Sequence, residues 1–321
     1  MYKLLMSVQL MLVCCLELAV GSGSLIYIEG QMISGYIPEN NKTVYYSHDI
    51  NESMQKPSLG IDSIFRTGSG MFAVQGRVAY DGLSDKSVLQ VYNLYYKNKS
   101  GFGDIWIGHN RPAFGLSSYL DSHAKLFQPL SMEGFGYDRD WGIGFYRQYD
   151  AGDASISCTA GSGMSFYFDN NFLVNSRVSY GILEKDNYSF GLSAGYGKVY
   201  HFMGAEKMDD MLNETGSAGI DWNYNINNFE FKLESIFSRA GGIASSGNLF
   251  RVGVNFLEED RLKIEIQPVS VSNGSGNIEK LYSGITYVIN EYLNARLMHV
   301  YNRNNSGGMI VTQLYYYKKL Y

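Results

Sequence analysis

Alternation between apolar and polar residues is the feature that most narrows the folds open to this chain. In FEFKLESIF, residues 229–237, Phe229, Phe231, Leu233 and Phe237 share one face of an extended backbone. Glu230, Lys232 and Glu234 occupy the other. A helix would scatter both sets around its circumference, so the stretch reads as a strand. What stands on its two sides is then the question: a packed core and solvent, or lipid and a water-filled interior.

The same period recurs through most of the chain. LFRVGVNF, RLKIEIQ, YSFGLSAGY, AGIDWNYNI and DASISCTA each set apolar residues against polar or small ones. Segments of about ten residues match the length that a tilted strand needs to cross a bilayer. Composition points the same way, because 27 Tyr and 36 Gly beside only 5 Pro suit a β-protein. A net charge of −5 argues against nucleic acid as a partner. Beyond the N-terminus no apolar run approaches the ~20 residues of a spanning helix. A helical membrane protein is thereby excluded; a barrel is not, since half of its strand residues can be polar.

Residues 1–21 read as a secretory signal. Lys3 supplies the positive start, an apolar stretch runs from Leu4 to Val20, and Ala19, Val20 and Gly21 offer a small-residue cleavage site. A lipid on Cys14 or Cys15 is the competing reading, although Val13 is a poor neighbour for it. Export leaves Cys158 as the one remaining cysteine, so no intramolecular disulfide is expected. Residues 22–321 then form a single domain.

Read backward from Tyr321, strands are expected at 309–320, 292–302, 280–290, 261–270, 248–257, 229–239, 216–226, 188–200, 172–182, 152–161, 141–149, 102–110, 86–97, 71–81, 60–68 and 25–37. That makes sixteen, or fourteen if the poorly alternating SIFRTGSG is not a strand. The links alternate in length: short at 290–291, 257–260, 227–228, 183–187 and 150–151, longer at 303–308, 271–279, 240–247, 201–215 and 161–171. Short turns at one end and loops at the other are the pattern of an outer-membrane barrel. The expected fold class is all-β, a transmembrane antiparallel barrel. A soluble β-sandwich also alternates, but this many successive strands and a two-length link pattern do not suit it.

The longest link, residues 111–140, carries Phe114, Tyr119, Leu120, Leu126 and Phe127, too much apolar surface for a solvated tail. Rooted at the rim, it is long enough to fold into the lumen and narrow it. GFGDIWIGHNRPAFG (101–115), the Asp-containing loop and YDRDWGIGFY (137–146) together resemble the third-loop region of general bacterial porins and phosphate-selective-type porins. Gly108, Arg111, Pro112, Phe114 and Gly115 carry the resemblance, with Ala113 intruding between Pro112 and Phe114. MISGYI (32–37) and the terminal Tyr321 look like porin features as well, while Lys319 departs from the alternating apolar end.

The resemblance implies a sixteen-stranded, homotrimeric diffusion channel in the outer membrane of a Gram-negative-type bacterium. Its partners would be membrane lipid, ions and small hydrophilic solutes, and it needs no cofactor and no metal. Residues expected at the constriction are Arg111, Asp121, His123, Lys125 and Glu133. Expected on the wall are Arg77, Arg177, Glu230, Lys232, Arg251, Lys263 and Arg296. An acidic loop facing a basic wall would set up a transverse field, but both signs occur on the lumen faces and leave ion selectivity open. A structural or adhesive barrel without an open pore is the alternative. Enzyme signals are weak: the five His residues stand at no metal spacing, and Asp121, His123 and Ser117 or Ser118 do not form the outer-face pairing of barrel phospholipases.

Overall fold

The alternating segments form strands almost where the period places them. The computed structural model describes residues 23–44, 55–81, 85–120, 124–203, 206–207, 210–274, 276–304 and 307–321. The expected signal segment, Asp121 and His123 lie outside the described residues. In chain order the long strands are β1 (Leu25–Ile37), β2 (Ser58–Arg66), β3 (Gly70–Asp81) and β4 (Lys86–Ser100). They continue as β5 (Gly103–Asn110), β6 (Asp140–Tyr149), β7 (Gly152–Thr159) and β8 (Phe172–Tyr180). Next come β9 (Tyr188–Val199), β10 (Asn213–Ile226), β11 (Phe229–Ala240) and β12 (Ile243–Phe256). The last four are β13 (Leu262–Asn273), β14 (Gly276–Asn290), β15 (Leu293–Asn302) and β16 (Gly307–Lys319).

Each strand pairs antiparallel with the next, and β1 pairs with β16 from Tyr27↔Lys319 to Tyr36↔Ile310, which closes the barrel. A seventeenth, three-residue strand (Lys42–Val44) folds back on β1 at the rim. Closure leaves no open edge in the wall. The strand count is sixteen and not fourteen, because Ser58–Arg66 is paired on both sides, to β1 and to β3. Its weak alternation had understated it. Among the described residues no helix is long and apolar enough to cross a membrane.

Two links are shorter than the sequence suggests. Residues 240–247 and 271–279, expected as loops, are mostly strand, with only 241–242 and 274–275 between the paired strands. Gly241 and Gly242 both take positive φ (+56° and +86°), the geometry that lets a hairpin reverse within two residues. Runs of Ser and Gly had hidden strand extensions whose backbone pairing continues past the apolar period. Four links remain long, at 38–57, 111–139, 160–171 and 200–212, and all lie at one end of the barrel. That end is here termed the loop end. Leu25 and Lys319 lie at the opposite, turn end.

The wall is inside-out relative to a soluble protein. Met32, Leu59, Ile107, Ile143, Leu192 and Leu297 are exposed on its outer face. Gln75, Arg77, Asn175, Arg177, Asp221, Glu234, Arg251 and Gln267 are buried on its inner face. A sandwich would bury the first set, so this inversion excludes it and marks the outside as a surface for lipid. Near the turn end, Trp222, Tyr224, Phe231 and Phe229 stack in a row with centroids 5.7–6.3 Å apart, one arc of an aromatic girdle. Phe229 therefore faces outward and Glu230 the lumen.

Candidate functional site: a loop-narrowed lumen

The link between β5 and β6 enters the barrel. Its apolar residues Phe114, Leu116, Leu126, Phe127, Leu130 and Phe135 are buried against inward-facing Ile33, Ile236, Leu249, Val269, Val271, Met298, Val300, Met309 and Val311. These wall positions come from β1, β11–β13, β15 and β16 and sit in the loop-end half of the barrel. Ile236, an apolar residue on the face shared with Lys232 and Glu234, is explained by this contact. Burial of about 25 cal/mol per Å² of apolar surface gives the loop a reason to leave water and stay docked.

Polar groups fix where it docks. Glu234 Oε1 accepts the Leu116 backbone N–H (2.8 Å) and Oε2 accepts that of Leu130 (2.9 Å), so one carboxylate ties both short 3-10 turns of the loop. The Ala113 N–H donates to Ser157 Oγ and the Gly115 N–H to Ser193 Oγ, each at 3.0 Å. Glu133 receives Lys280 Nζ (2.8 Å) and Tyr282 Oη (2.9 Å). Arg296 Nη1 reaches the Ala124 carbonyl (2.6 Å), and Arg251 Nη2 and Gln267 Nε2 both reach that of Gln128. These hydrogen bonds, to β7, β9 and β11–β15, hold the loop across the lumen.

Two polar regions flank the docked loop. On one side Arg177 grips Asp221 through Nε (3.0 Å) and Nη2 (2.7 Å), and its Nη1 lies 3.3 Å from Asp153. Its guanidinium also stands 4.7 Å from the Tyr119 ring centre, and Tyr119 Oη donates to Asp221. Burial, then the Asp221 charge, push the Tyr119 phenol well above its usual range. Below this cluster lies a cavity of ≈ 620 Å³ toward the turn end, lined among others by Tyr95, Lys97, Arg111, Tyr146, Asp153 and Arg177. On the other side, Lys125 projects from the loop into a recess with Lys232, Arg251, Lys263 and Glu265. Enclosure by the wall, then the Lys263, Arg251 and Lys232 charges, press the Lys125 ammonium down to about 8. Its side chain still touches lumen water, which softens the first cause and leaves the direction unchanged.

The residues expected from sequence fall into three groups. Lys125, Lys232, Arg251 and Lys263 are brought together, with Arg296 anchored beside Ala124 and Glu230 holding Lys232 and Lys263 at 2.8 Å each. Arg111 and Arg177 line the cavity on the opposite side. Arg77 and Glu133 stand apart: Arg77 is buried on Gln90 and Tyr92, and Glu133 is spent on Lys280 and Tyr282. Sequence reasoning had placed Glu234 on the lumen face without its role, and had missed Ser157, Ser193 and Gln128 as docking points. Nothing in the strand period distinguishes a lumenal residue that meets water from one that meets the loop.

No protein-family model and no curated protein matches the chain. Solved structures do. The fold is similar to that of the anion-selective porin from Comamonas acidovorans, with a TM-score of 0.66 and 12% identity over 92% of this chain and 100% of that one. It is similar to OmpF of Salmonella typhi in complex with daunomycin (TM-score 0.64, 13% identity, 92% and 97% covered). OmpT of Vibrio cholerae gives a TM-score of 0.61 at 11% identity, with 92% and 97% covered. At such identities the likeness is one of fold, that of the sixteen-stranded outer-membrane porins. It does not single out the phosphate-selective type.

Proposed function

We propose that the protein is a porin of the outer membrane of a Gram-negative-type bacterium, a passive channel for ions and small hydrophilic solutes. In this reading residues 1–21 direct export, residues 22–321 are the barrel, the loop end faces outward from the cell, and the assembly is a homotrimer. The observation that carries it is the loop between β5 and β6, which packs against the loop-end wall and leaves cavities lined by charged residues on either side. Such a section conducts by offering a wet path that binds its solute weakly. Lys125 and Arg111 on the loop, with Arg177, Glu230, Lys232, Arg251, Lys263 and Arg296 on the wall, would line it. No step requires a catalytic group.

The apolar cluster inside the lumen is what an inert, structural or adhesive barrel would also use to seal itself, so conduction has to be measured. The test is planar-bilayer recording of the refolded protein beside a variant lacking residues 117–132. A channel narrowed by the loop gives unitary currents that rise on deletion, because resistance concentrates at the narrowest section. A folded barrel silent in both forms would establish the sealed alternative.

A further inference from the structure

Among the described residues, the charges around the Lys125 recess do not balance. On the β11–β13 arc, Lys232 and Lys263 both lie 2.8 Å from Glu230 Oε2, and Lys263 lies 3.3 Å from Glu265. Two carboxylates thus answer two ammonium groups. Arg251 has only neutral acceptors: its Nε donates to Gln267 Oε1 (2.6 Å) and its Nη2 to the Gln128 carbonyl (3.4 Å). Arg296 likewise donates to the Ala124 carbonyl and to Gln313 Oε1 (2.7 Å). Lys125, the loop cation of the same recess, accepts from Gln55 through its carbonyl, but its ammonium has no hydrogen-bonded or ion-paired partner among the described residues. Among the described residues, no carboxylate stands within 4.0 Å of the charged groups of Lys125, Arg251 or Arg296.

Lys125, Arg251 and Arg296 touch no carboxylate among the described residues, and Glu234, a further acid whose charge reaches Arg251, is taken up by two loop N–H groups, so these cations call for a mobile counter-charge. Burying a cation without a partner is costly, and Arg251 is only 5% exposed. The opposite side does not supply the missing negative charge. There Arg177 and Arg111 stand against Asp153 and Asp221, and Lys97 lies 2.8 Å from Asp104. Of the acids on the loop, Glu133 is neutralised by Lys280, and Asp121 lies outside the described residues. A guanidinium suits oxygens set in a plane, as on carboxylates, sulfate and phosphate, better than it suits a spherical halide.

We infer that Lys125, Arg251 and Arg296 form an oxyanion-binding site at the waist, which makes the channel anion-preferring and retains oxyanionic solutes briefly as they pass. The inference rests on the channel reading and specifies its solute class. A unit charge about 5 Å from a passing ion in water changes its local concentration about fourfold before salt screening. Neutralising one of these cations should therefore lower the anion-to-cation permeability ratio severalfold.

The test joins reversal potentials in a potassium chloride gradient to calorimetric binding of sulfate and succinate by the refolded protein in detergent. Wild type should prefer chloride to potassium, and sulfate and succinate should reduce chloride current in a dose-dependent way. Lys125→Gln, at an exposed position, and Arg251→Gln should each weaken both effects. Lys125→Gln keeps the test open if the buried Arg251 variant fails to fold. Binding of one probe without the other would assign the site to the sulfate-like or the carboxylate class. Open channels with cation preference and no binding of either probe would overturn the inference while leaving the channel intact. Silent barrels whose sulfate binding is lost in Lys125→Gln would keep the site and remove the channel.

Discussion

Replacing Glu234 should free the loop without unfolding the barrel. Its two oxygens accept the Leu116 and Leu130 N–H groups at 2.8 and 2.9 Å, and the side chain is 2% exposed. Hydrogen bonds to a charged group contribute about 1.5–3 kcal/mol each, so Glu234→Ala forfeits roughly 3–6 kcal/mol of docking. Water reaching the vacated N–H groups returns part of that. Glu234→Gln keeps one acceptor but turns an NH₂ toward the second N–H, so it should fall between the two. A net loss of 3 kcal/mol raises the undocked fraction about 10²-fold. The barrel ladder involves none of these bonds, and the folded form should still run as a compact, heat-modifiable band. The loop should instead become cleavable by added protease between residues 116 and 130, and single-channel records should gain flicker in the order Ala, Gln, wild type. Equal protease resistance and equal noise in all three would refute the view that this carboxylate is the main tether.

Two other outcomes follow from the geometry. Leu233 faces outward near the middle of β11, and Leu233→Arg should destabilise the barrel by about 2–4 kcal/mol in urea refolding into vesicles, whereas the same change at Phe229, within the girdle, should cost far less. Lys125, held near 8 by enclosure and by Lys263, Arg251 and Lys232, with Glu265 opposing, loses its proton as pH rises through that value. Anion preference read from reversal potentials should therefore fall between pH 7 and 9, and this step should be missing in Lys125→Gln.

The strands were legible because lipid outside and water inside impose a strict two-residue period. That period places Phe229 and Glu230 on opposite faces without any knowledge of their neighbours. It fails where its cause is absent. Ser58–Arg66 and the Ser-rich strand extensions 243–247 and 270–273 are held by backbone pairing, which leaves little mark on side-chain type. The loop was legible as an inward element from its length and its Phe and Leu content. Its docking was not, since Glu133 reads as a free charge until Lys280 and Tyr282 are seen beside it. The basic cluster was legible only as separate residues. Lys232, Arg251 and Lys263 come from adjacent strands, and Lys125 joins them through a fold-back that no local pattern encodes.

The β1–β16 seam has a consequence for time. Tyr27 meets Lys319, with Gln313 Nε2 donating to Gln31 Oε1 (2.9 Å) and Tyr315 Oη to Glu29 (3.1 Å) on its inner side. Every other pairing of the wall joins neighbours in sequence; this one joins the first strand made to the last. Bringing such distant segments together costs about 3 kcal/mol more loop entropy than a twelve-residue hairpin. The first strand must wait with one backbone edge unpaired until β16 arrives, and topologies of this kind close slowly. Completion of the cylinder is thus a single late event, and a chain that stops short of β16 has no partner to offer β1.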